Sequence, residues 1–182
     1  MIKTQVKEDF GIVLDFLLHG NPYRGINTPV AQVLGEKHFI LLEVAPKDNV
    51  TLSPNEKVYI GPEKRDKIHH IIGRIMFDDL TQIARTNLIL IIEKLVTERE
   101  KEFVDFFNNA GPITTRLHQL ELLPGIGKKH MWKILEERDE KPFVSFEDIK
   151  ERIPLVPDPK RMIIKRILQE LESKEKYKLF VG

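Results

Sequence analysis

The chain has 182 residues, 41% of them hydrophobic and 31% charged, and this composition is typical of a globular protein that buries one or two cores. The absence of cysteine excludes disulfides, thiolate zinc sites and cysteine nucleophiles, and it fits a reducing compartment. The formal net charge of +1 is too small to indicate nucleic-acid binding by itself. Any such binding has to be inferred from how charge is distributed along the chain.

The amino-terminal region predicts one short helix followed by an exposed loop. Apolar side chains recur at helical spacing within residues 9–18, at Phe10, Val13, Leu14 and Leu17. Residues 21–29 contain two prolines and no apolar periodicity. Residues 1–5 lack the features of a signal peptide, and no apolar run approaches the roughly 20 residues that span a bilayer. We therefore expect a cytoplasmic protein with no membrane partner.

Residues 30–76 consist of short runs rich in valine, isoleucine, leucine and aromatic residues, separated by glycine, proline or polar turns. This pattern predicts four strands, at residues 30–34, 39–45, 57–60 and 68–76. Strands of this number and spacing favour a small antiparallel barrel of the OB-like kind, because closure removes exposed sheet edges.

Helices are predicted for the rest of the chain. Asp78 or Asp79 can cap a helix that runs to about Arg85, and a longer helix follows over residues 88–107. Asparagine, glycine and proline at residues 108–112 mark the clearest boundary. The predicted fold class is therefore α+β with two domains. Residues 1–110 form the barrel with flanking helices, and residues 111–182 form an all-helical domain.

The carboxy-terminal domain predicts four helices in two pairs. The first is capped by Thr114 or Thr115 and runs to about residue 122, and the second covers residues 127–138. Ser145 with Asp148 three residues later approximates a capping box for the third helix. Asp158 followed by proline starts the fourth. Two pairs of related shape indicate an internal duplication.

The turn of the first pair has the sequence Leu-Pro-Gly-Ile-Gly-Lys-Lys, at residues 123–129. Gly125 and Gly127 allow unusual backbone conformations and close approach of a ligand, while Ile126 can plug into the core. The amides of Gly125, Gly127 and Lys128 then lie at a helix amino terminus, where unpaired donors and the helix dipole favour an anion such as phosphate. Trp132 is expected to be partly buried.

Charge is concentrated around this hairpin. Residues 111–135 contain four basic residues against one acidic residue, Glu121. The basic residues are Arg116, Lys128, Lys129 and Lys133. Residues 136–151 reverse the balance, with seven acidic residues against three basic ones. The positive patch is therefore local, and binding to it should weaken as salt is added.

These residues resemble a known motif. Residues 117–135 are similar to the helix-hairpin-helix motif of DNA repair glycosylases, polymerases, ligases and recombination proteins, although Met131 stands where alanine is usual. Residues 146–168 resemble it only in outline, because the turn at residues 154–159 has three prolines and no glycine. The basic residues near this second turn are further candidates for a phosphate contact: Lys160, Arg161, Lys165 and Arg166.

Nearly the whole chain resembles an uncharacterised archaeal family that joins an OB-like barrel to a helix-hairpin-helix domain. Matching stretches lie at residues 29–33, 56–61, 65–68 and 111–135. The resemblance implies a non-catalytic nucleic-acid-binding protein, with RNA favoured over DNA, that contacts phosphates without reading sequence. It also implies a monovalent cation at the hairpin and no other cofactor. The implied contacts at the hairpin are Arg116, Gly125, Ile126, Gly127, Lys128, Lys129, His130 and Lys133.

The predicted barrel offers a second set of contacts, because OB-like surfaces stack bases on aromatic rings beside basic grooves. The aromatic candidates are Phe39, Tyr59 and Phe77. The basic candidates are Lys64, Arg65, Lys67 and Arg74. The alternative is that the aromatic rings belong to the core and the basic loop is merely solvated.

No catalytic constellation and no metal site is predicted. The sequence lacks GxSxG, P-loop, GxGxxG and HExxH patterns. His69 and His70 are adjacent in a predicted strand and should point to opposite faces. Two alternatives remain open: an accessory or adaptor module of a nucleic-acid-processing complex, and an unrecognised nuclease using Asp78, Asp79 or Glu43.

Overall fold

The apolar runs of the amino-terminal half form one curled antiparallel sheet, a half-barrel of OB-like shape, in the computed structural model. The model describes residues 6–182 and leaves residues 1–5, on which the signal-peptide argument depends, outside the described part of the chain. The strands are β1 (Phe10–Leu17), β2 (Val30–Gly35), β3 (Leu41–Pro46), β4 (Lys57–Tyr59) and β5 (Ile68–Arg74). They pair in the order β4-β1-β2-β3-β5, so β4 and β5 are the edges.

The predicted amino-terminal helix is wrong, because residues 10–17 form strand β1. This strand pairs with β2 on one side and β4 on the other, so its backbone hydrogen bonds go to neighbouring strands. A register shift between Val13 and Asp15 interrupts the inside-outside alternation, and Val13 and Leu14 are both fully buried. Adjacent buried residues in a short run imitate helical spacing, which explains the error.

The four predicted strands are confirmed to within a few residues as β2, β3, β4 and β5, and the inner face of the sheet carries its core. Its buried side chains are valine, isoleucine, leucine and alanine: Val13, Ala31, Val33, Val44, Leu52, Val58, Ile60 and Ile68. Predicted closure into a full barrel is replaced by an open half-barrel, since β4 is only three residues long and pairs with β1 alone.

Five α-helices follow within the described residues. They are α1 (Gln82–Glu98), α2 (Glu100–Asn109), α3 (Lys128–Glu140), α4 (Phe146–Arg152) and α5 (Pro159–Glu172). Thr81 caps α1, because its hydroxyl accepts the N–H of Ala84 at 3.0 Å. The predicted caps Asp78 and Asp79 are therefore wrong, and so is the predicted break near residue 85. Asp79 instead accepts the N–H of Met76 at 2.9 Å.

Three of the four predicted carboxy-terminal helices are present as α3, α4 and α5. They start after Gly127, Ser145 and Asp158, as the capping residues predict. The remaining helix is reduced to a 3₁₀ turn, Gln119–Leu122, and His118 rather than a threonine caps it. None of the helices in residues 6–182 is long and apolar enough to cross a lipid bilayer.

The chain divides into two compact units. One contains the residues up to Ile91 together with Glu170–Gly182, and the other contains Ile92–Gln169. The predicted domain boundary between residues 110 and 111 stays a prediction. The glycine hairpin lies in the second unit and the curled sheet in the first.

Candidate nucleic-acid interface

The hairpin between the 3₁₀ turn and α3 depends on glycine at position 125. Gly125 has a φ of +86°, in the left-handed region that other residues rarely adopt. A Cβ at this position would also lie 3.0 Å from Cγ of Pro157, in the turn between α4 and α5. The two turns therefore pack against each other, and Gly125 is the residue that permits the approach.

Ile126 anchors the hairpin and does not face a ligand. Its side chain is only 7% exposed, and its N–H donates to the carbonyl of Leu123 at 3.1 Å. The sequence placed Ile126 among the contacts as well as in the core. The structure supports the core role, because neither the side chain nor the amide is open to solvent.

The amino terminus of α3 is open. Gly127 is its exposed N-cap residue, and no side chain among residues 6–182 caps the first turn of the helix. A Cβ at Gly127 would meet no other atom within 4 Å. The N–H groups at a helix start lack acceptors within the helix, so Lys128 and Lys129 present donors with the positive end of the helix dipole. This arrangement suits an anion.

Two of the four basic side chains near the hairpin are held by acidic partners. The ammonium of Lys128 lies 3.0 Å from Glu121 and donates to the carbonyl of Arg116 at 2.9 Å. Lys133 pairs with Glu137 at 3.2 Å. The hydrogen bond that Lys133 donates to Glu137 raises the pKa of Lys133. The N–H of His118, and then Lys128, lower the pKa of Glu121. Both lysine side chains are therefore engaged within the unit.

Lys129 and Arg116 differ from these two residues. Both are exposed, and no ion pair within residues 6–182 involves either side chain. They are the hairpin's available positive charges. His130 is partly exposed on the first turn of α3.

An exposed tryptophan lies on the same helix. Trp132 is 64% exposed, which is more than the sequence analysis predicted, and it follows Lys129 by three residues. Side chains three apart on a helix are neighbours, so the ring lies beside Lys129. Met131 and Ile134 form the buried face of α3, and the helical period from these positions could have predicted the exposure of Trp132.

The second turn supplies packing and exposed apolar surface. Val156 is buried, while Leu155 is 82% exposed. Arg166, a predicted candidate for phosphate contact, is 3% exposed and donates to the carbonyl of Leu122 at 3.2 Å. It therefore binds the end of the 3₁₀ turn inside the unit and cannot meet a phosphate. Arg161 and Lys165 are exposed.

His118 should make the stability of this unit depend on pH. Its Nδ1 accepts the N–H of Leu120 at 3.1 Å, which requires the neutral ring. Burial, followed by the charge of Arg138, lowers the pKa of His118 from its usual 6.5. The unfolded chain therefore binds the proton more readily, and the stabilisation is present above pH 6.5 and is lost as the pH falls through the lowered pKa.

We expect His118→Asn to remove this dependence, since asparagine keeps a capping acceptor but does not titrate. Thermal unfolding of both proteins from about pH 7.5 to 5 measures the difference. Parallel pH profiles of the parent and the variant would contradict the assignment.

The aromatic candidates of the sheet are largely committed to other contacts. Phe39 is 1% exposed and belongs to the core, so the prediction that it stacks on a base is wrong. The ring of Tyr59 packs edge-on against Phe10 at 5.4 Å. Phe77 lies under the guanidinium of Arg85 at 4.9 Å.

The basic candidates of the sheet separate into two groups. Arg65 and Arg74 line one cavity together, whereas Lys67 is ion-paired with Glu56 and Lys64 is exposed on the loop after β4.

The carboxylates proposed for a nuclease are bound by an arginine from the loop after β1. Glu43 is 1% exposed and lies 3.1 Å from Arg24, which also contacts Asp79 at 3.0 Å. Sequence analysis missed Arg24, because its partners lie 19 and 55 residues away. The cluster buries Glu43, leaves 28% of the Asp79 side chain exposed, and does not include Asp78, which is exposed to solvent.

The two adjacent histidines of β5 do not point to opposite faces. The register shift between β3 and β5 at Ala45 and Pro46 interrupts the alternation, and the Nδ1 atoms of His69 and His70 lie 2.8 Å apart. The geometric argument used to separate them was therefore wrong. Within residues 6–182, no three histidine, aspartate or glutamate side chains are grouped so that they could ligate one metal ion.

Comparison with known proteins gives a consistent result. Residues 7–182 match the model of the family described as "Protein of unknown function (DUF655)". An uncharacterised protein of Methanocaldococcus jannaschii is 49% identical over 181 residues, which cover 98% of this chain and 82% of that protein. A crystal structure from Archaeoglobus fulgidus, described as a family model of DUF655, is 45% identical with a TM-score of 0.85, covering 96% of this chain and 100% of that one.

Proposed function

The chain belongs to the DUF655 family, and we propose that it is a nucleic-acid-binding protein that holds phosphates at the glycine hairpin without reading sequence. The open start of α3 carries this proposal, because Gly127 gives the first amides of the helix no side-chain cap and the space beside its Cα is open. Lys129 and Arg116 add positive charge without a partner among residues 6–182.

The proposal includes a role for Trp132. An exposed ring beside a phosphate site can stack on a nucleobase, and stacking on any base tolerates sequence variation. This supports binding of single-stranded or unpaired regions. RNA is favoured over DNA only by the resemblance to the archaeal family, and the cytoplasm is the expected compartment. The implied monovalent cation stays a prediction.

Salt dependence tests the proposal. Each phosphate contact made by a cation contributes about 0.7 to the slope of log affinity against log salt for single strands, and about 0.9 for duplexes. We expect Lys129→Ala and Arg116→Ala each to lower the slope by about this amount. Fluorescence anisotropy with labelled RNA and DNA of one sequence, as single strands and as duplexes, measures it between about 50 and 200 mM KCl.

Lys150→Ala is the matched control, since Lys150 is an exposed lysine of the same unit on α4. Its slope should equal that of the parent. If Lys129→Ala and Arg116→Ala also keep the parent's slope and affinity, the hairpin does not hold phosphates and the adaptor alternative gains support.

A further inference from the structure

The first unit contains a cavity of about 400 Å³ between the two edges of the curled sheet. Residues after β4, among them Ile60 and Arg65, line one side, and Ile71 and Arg74 of β5 line the other. A closed barrel fills its interior with side chains. Because β4 and β5 do not pair, part of the inner face remains open here.

The cavity combines an apolar floor with a positively charged rim. Five aliphatic side chains form the floor: Val6, Ile40, Leu42, Ile60 and Ile71. Lys7, Arg65 and Arg74 supply positive charge at the rim. Its ligand must therefore present an apolar face and an anionic group.

Glu8 is the acidic residue of this lining, and its oxygens are already used. They accept the N–H groups of Lys37 at 3.0 Å and His38 at 2.5 Å. Burial raises the pKa of Glu8, and the three basic side chains of the lining outnumber this one carboxyl group. The rim thus attracts an anion despite this carboxyl group.

Each arginine is positioned by one hydrogen bond that its guanidinium group donates to a backbone carbonyl. Nε of Arg65 donates to the carbonyl of Gly61 at 2.8 Å, and Nη2 of Arg74 donates to the carbonyl of Gly182 at 2.7 Å. These contacts fix the two side chains and leave further N–H groups of each planar guanidinium for a ligand. Fixed guanidinium groups are suited to bind phosphate oxygens.

We propose that this cavity binds one nucleotide, with the base on the aliphatic floor and the phosphate at Arg65 and Arg74. The volume lies near the lower end of the roughly 300–1,000 Å³ typical of small-molecule sites, which fits a single nucleotide. The inference rests on the proposed function in one respect: the natural nucleotide is a unit of the bound nucleic acid. Of the four basic candidates of the sheet, the proposal assigns ligand contact to Arg65 and Arg74. Lys64 and Lys67 do not line the cavity.

Adenosine monophosphate, adenosine and inorganic phosphate are the probes, each titrated into the whole chain and followed by NMR. The monophosphate should shift the backbone amides of Gly61, Ile71 and Gly73, which line the cavity. We expect it to bind at least tenfold more tightly than adenosine or phosphate alone. Arg65→Gln and Arg74→Gln, made separately, should each weaken it at least fivefold.

Lys64→Gln is the matched control, because it removes the same charge from an exposed residue of the same loop, and it should bind like the parent. The proposal would be overturned if both arginine variants bound the monophosphate as tightly as the parent, if phosphate alone bound at the cavity as tightly as the monophosphate, or if the cavity amides did not shift. The amides of Lys128 and Lys129 report on the hairpin in the same spectra, so a failure at the hairpin and a failure at the cavity give different results.

Discussion

Replacing Gly127 with aspartate should abolish most nucleic-acid binding while leaving the protein at least as stable as the parent. Aspartate is a better N-cap than glycine, and the extended backbone of Gly127, with φ −101° and ψ −173°, is the N-cap conformation. Its Cβ enters open space. The new carboxylate would accept the amides proposed to bind phosphate and would repel the phosphate itself.

The expected loss of affinity for RNA is tenfold or more, which corresponds to about 1.4 kcal/mol or more. The expected change in the free energy of unfolding is between zero and a gain of about 1 kcal/mol. Anisotropy and urea denaturation measure the two quantities on the same preparation. Lys150→Gln, which makes the same change in net charge on α4, should alter affinity less than twofold. A Gly127→Asp protein that binds like the parent would falsify the hairpin model.

The elements that depend on local sequence were predictable. The starts of α3, α4 and α5 follow from Gly127, Ser145 and Asp158, because capping needs only the residue and its next three neighbours. β1 was not predictable in this way. Its assignment depends on pairing with β4, where Ile12 lies opposite Lys57, 45 residues later. The prediction of a helix over residues 9–18 was wrong because it took no account of the strands that pair with β1.

The candidate site likewise combines features set by local sequence with features that depend on distant residues. The two glycines, the buried isoleucine and the capless helix start are local features, and the sequence predicted all of them. The availability of charge is not local. Lys128 is held by Glu121, so counting basic residues overstated the positive patch. Arg166, a separate candidate, is held by the carbonyl of Leu122, 44 residues away. The cavity of the half-barrel was missed because its lining comes from separate parts of the chain.

Replacing Glu170 with alanine should cause the largest loss of stability. Glu170 lies near the end of α5 and is only 2% exposed. Its carboxylate accepts three backbone N–H groups, from Leu179 at 2.9 Å and from Phe180 and Val181 at 3.0 Å. These bonds hold the carboxy-terminal segment within the first unit. Alanine would leave the three donors without their acceptor, and an unsatisfied buried donor costs about 1–3 kcal/mol.

We expect Glu170→Ala to lower the free energy of unfolding by roughly 3 kcal/mol or more and to speed amide hydrogen exchange at residues 179–181. The free energy of unfolding of Glu170→Gln should lie between those of the parent and Glu170→Ala. Its Oε1 can still accept from Phe180 and Val181, while the new NH₂ faces the N–H of Leu179. Glu172→Ala is the matched control: Glu172 is exposed on the same helix, and surface changes of this kind usually cost under about 0.5 kcal/mol. Urea denaturation ranks the four proteins. If the Glu170 and Glu172 variants unfold at the same urea concentration, the buried carboxylate does not hold the carboxy-terminal segment.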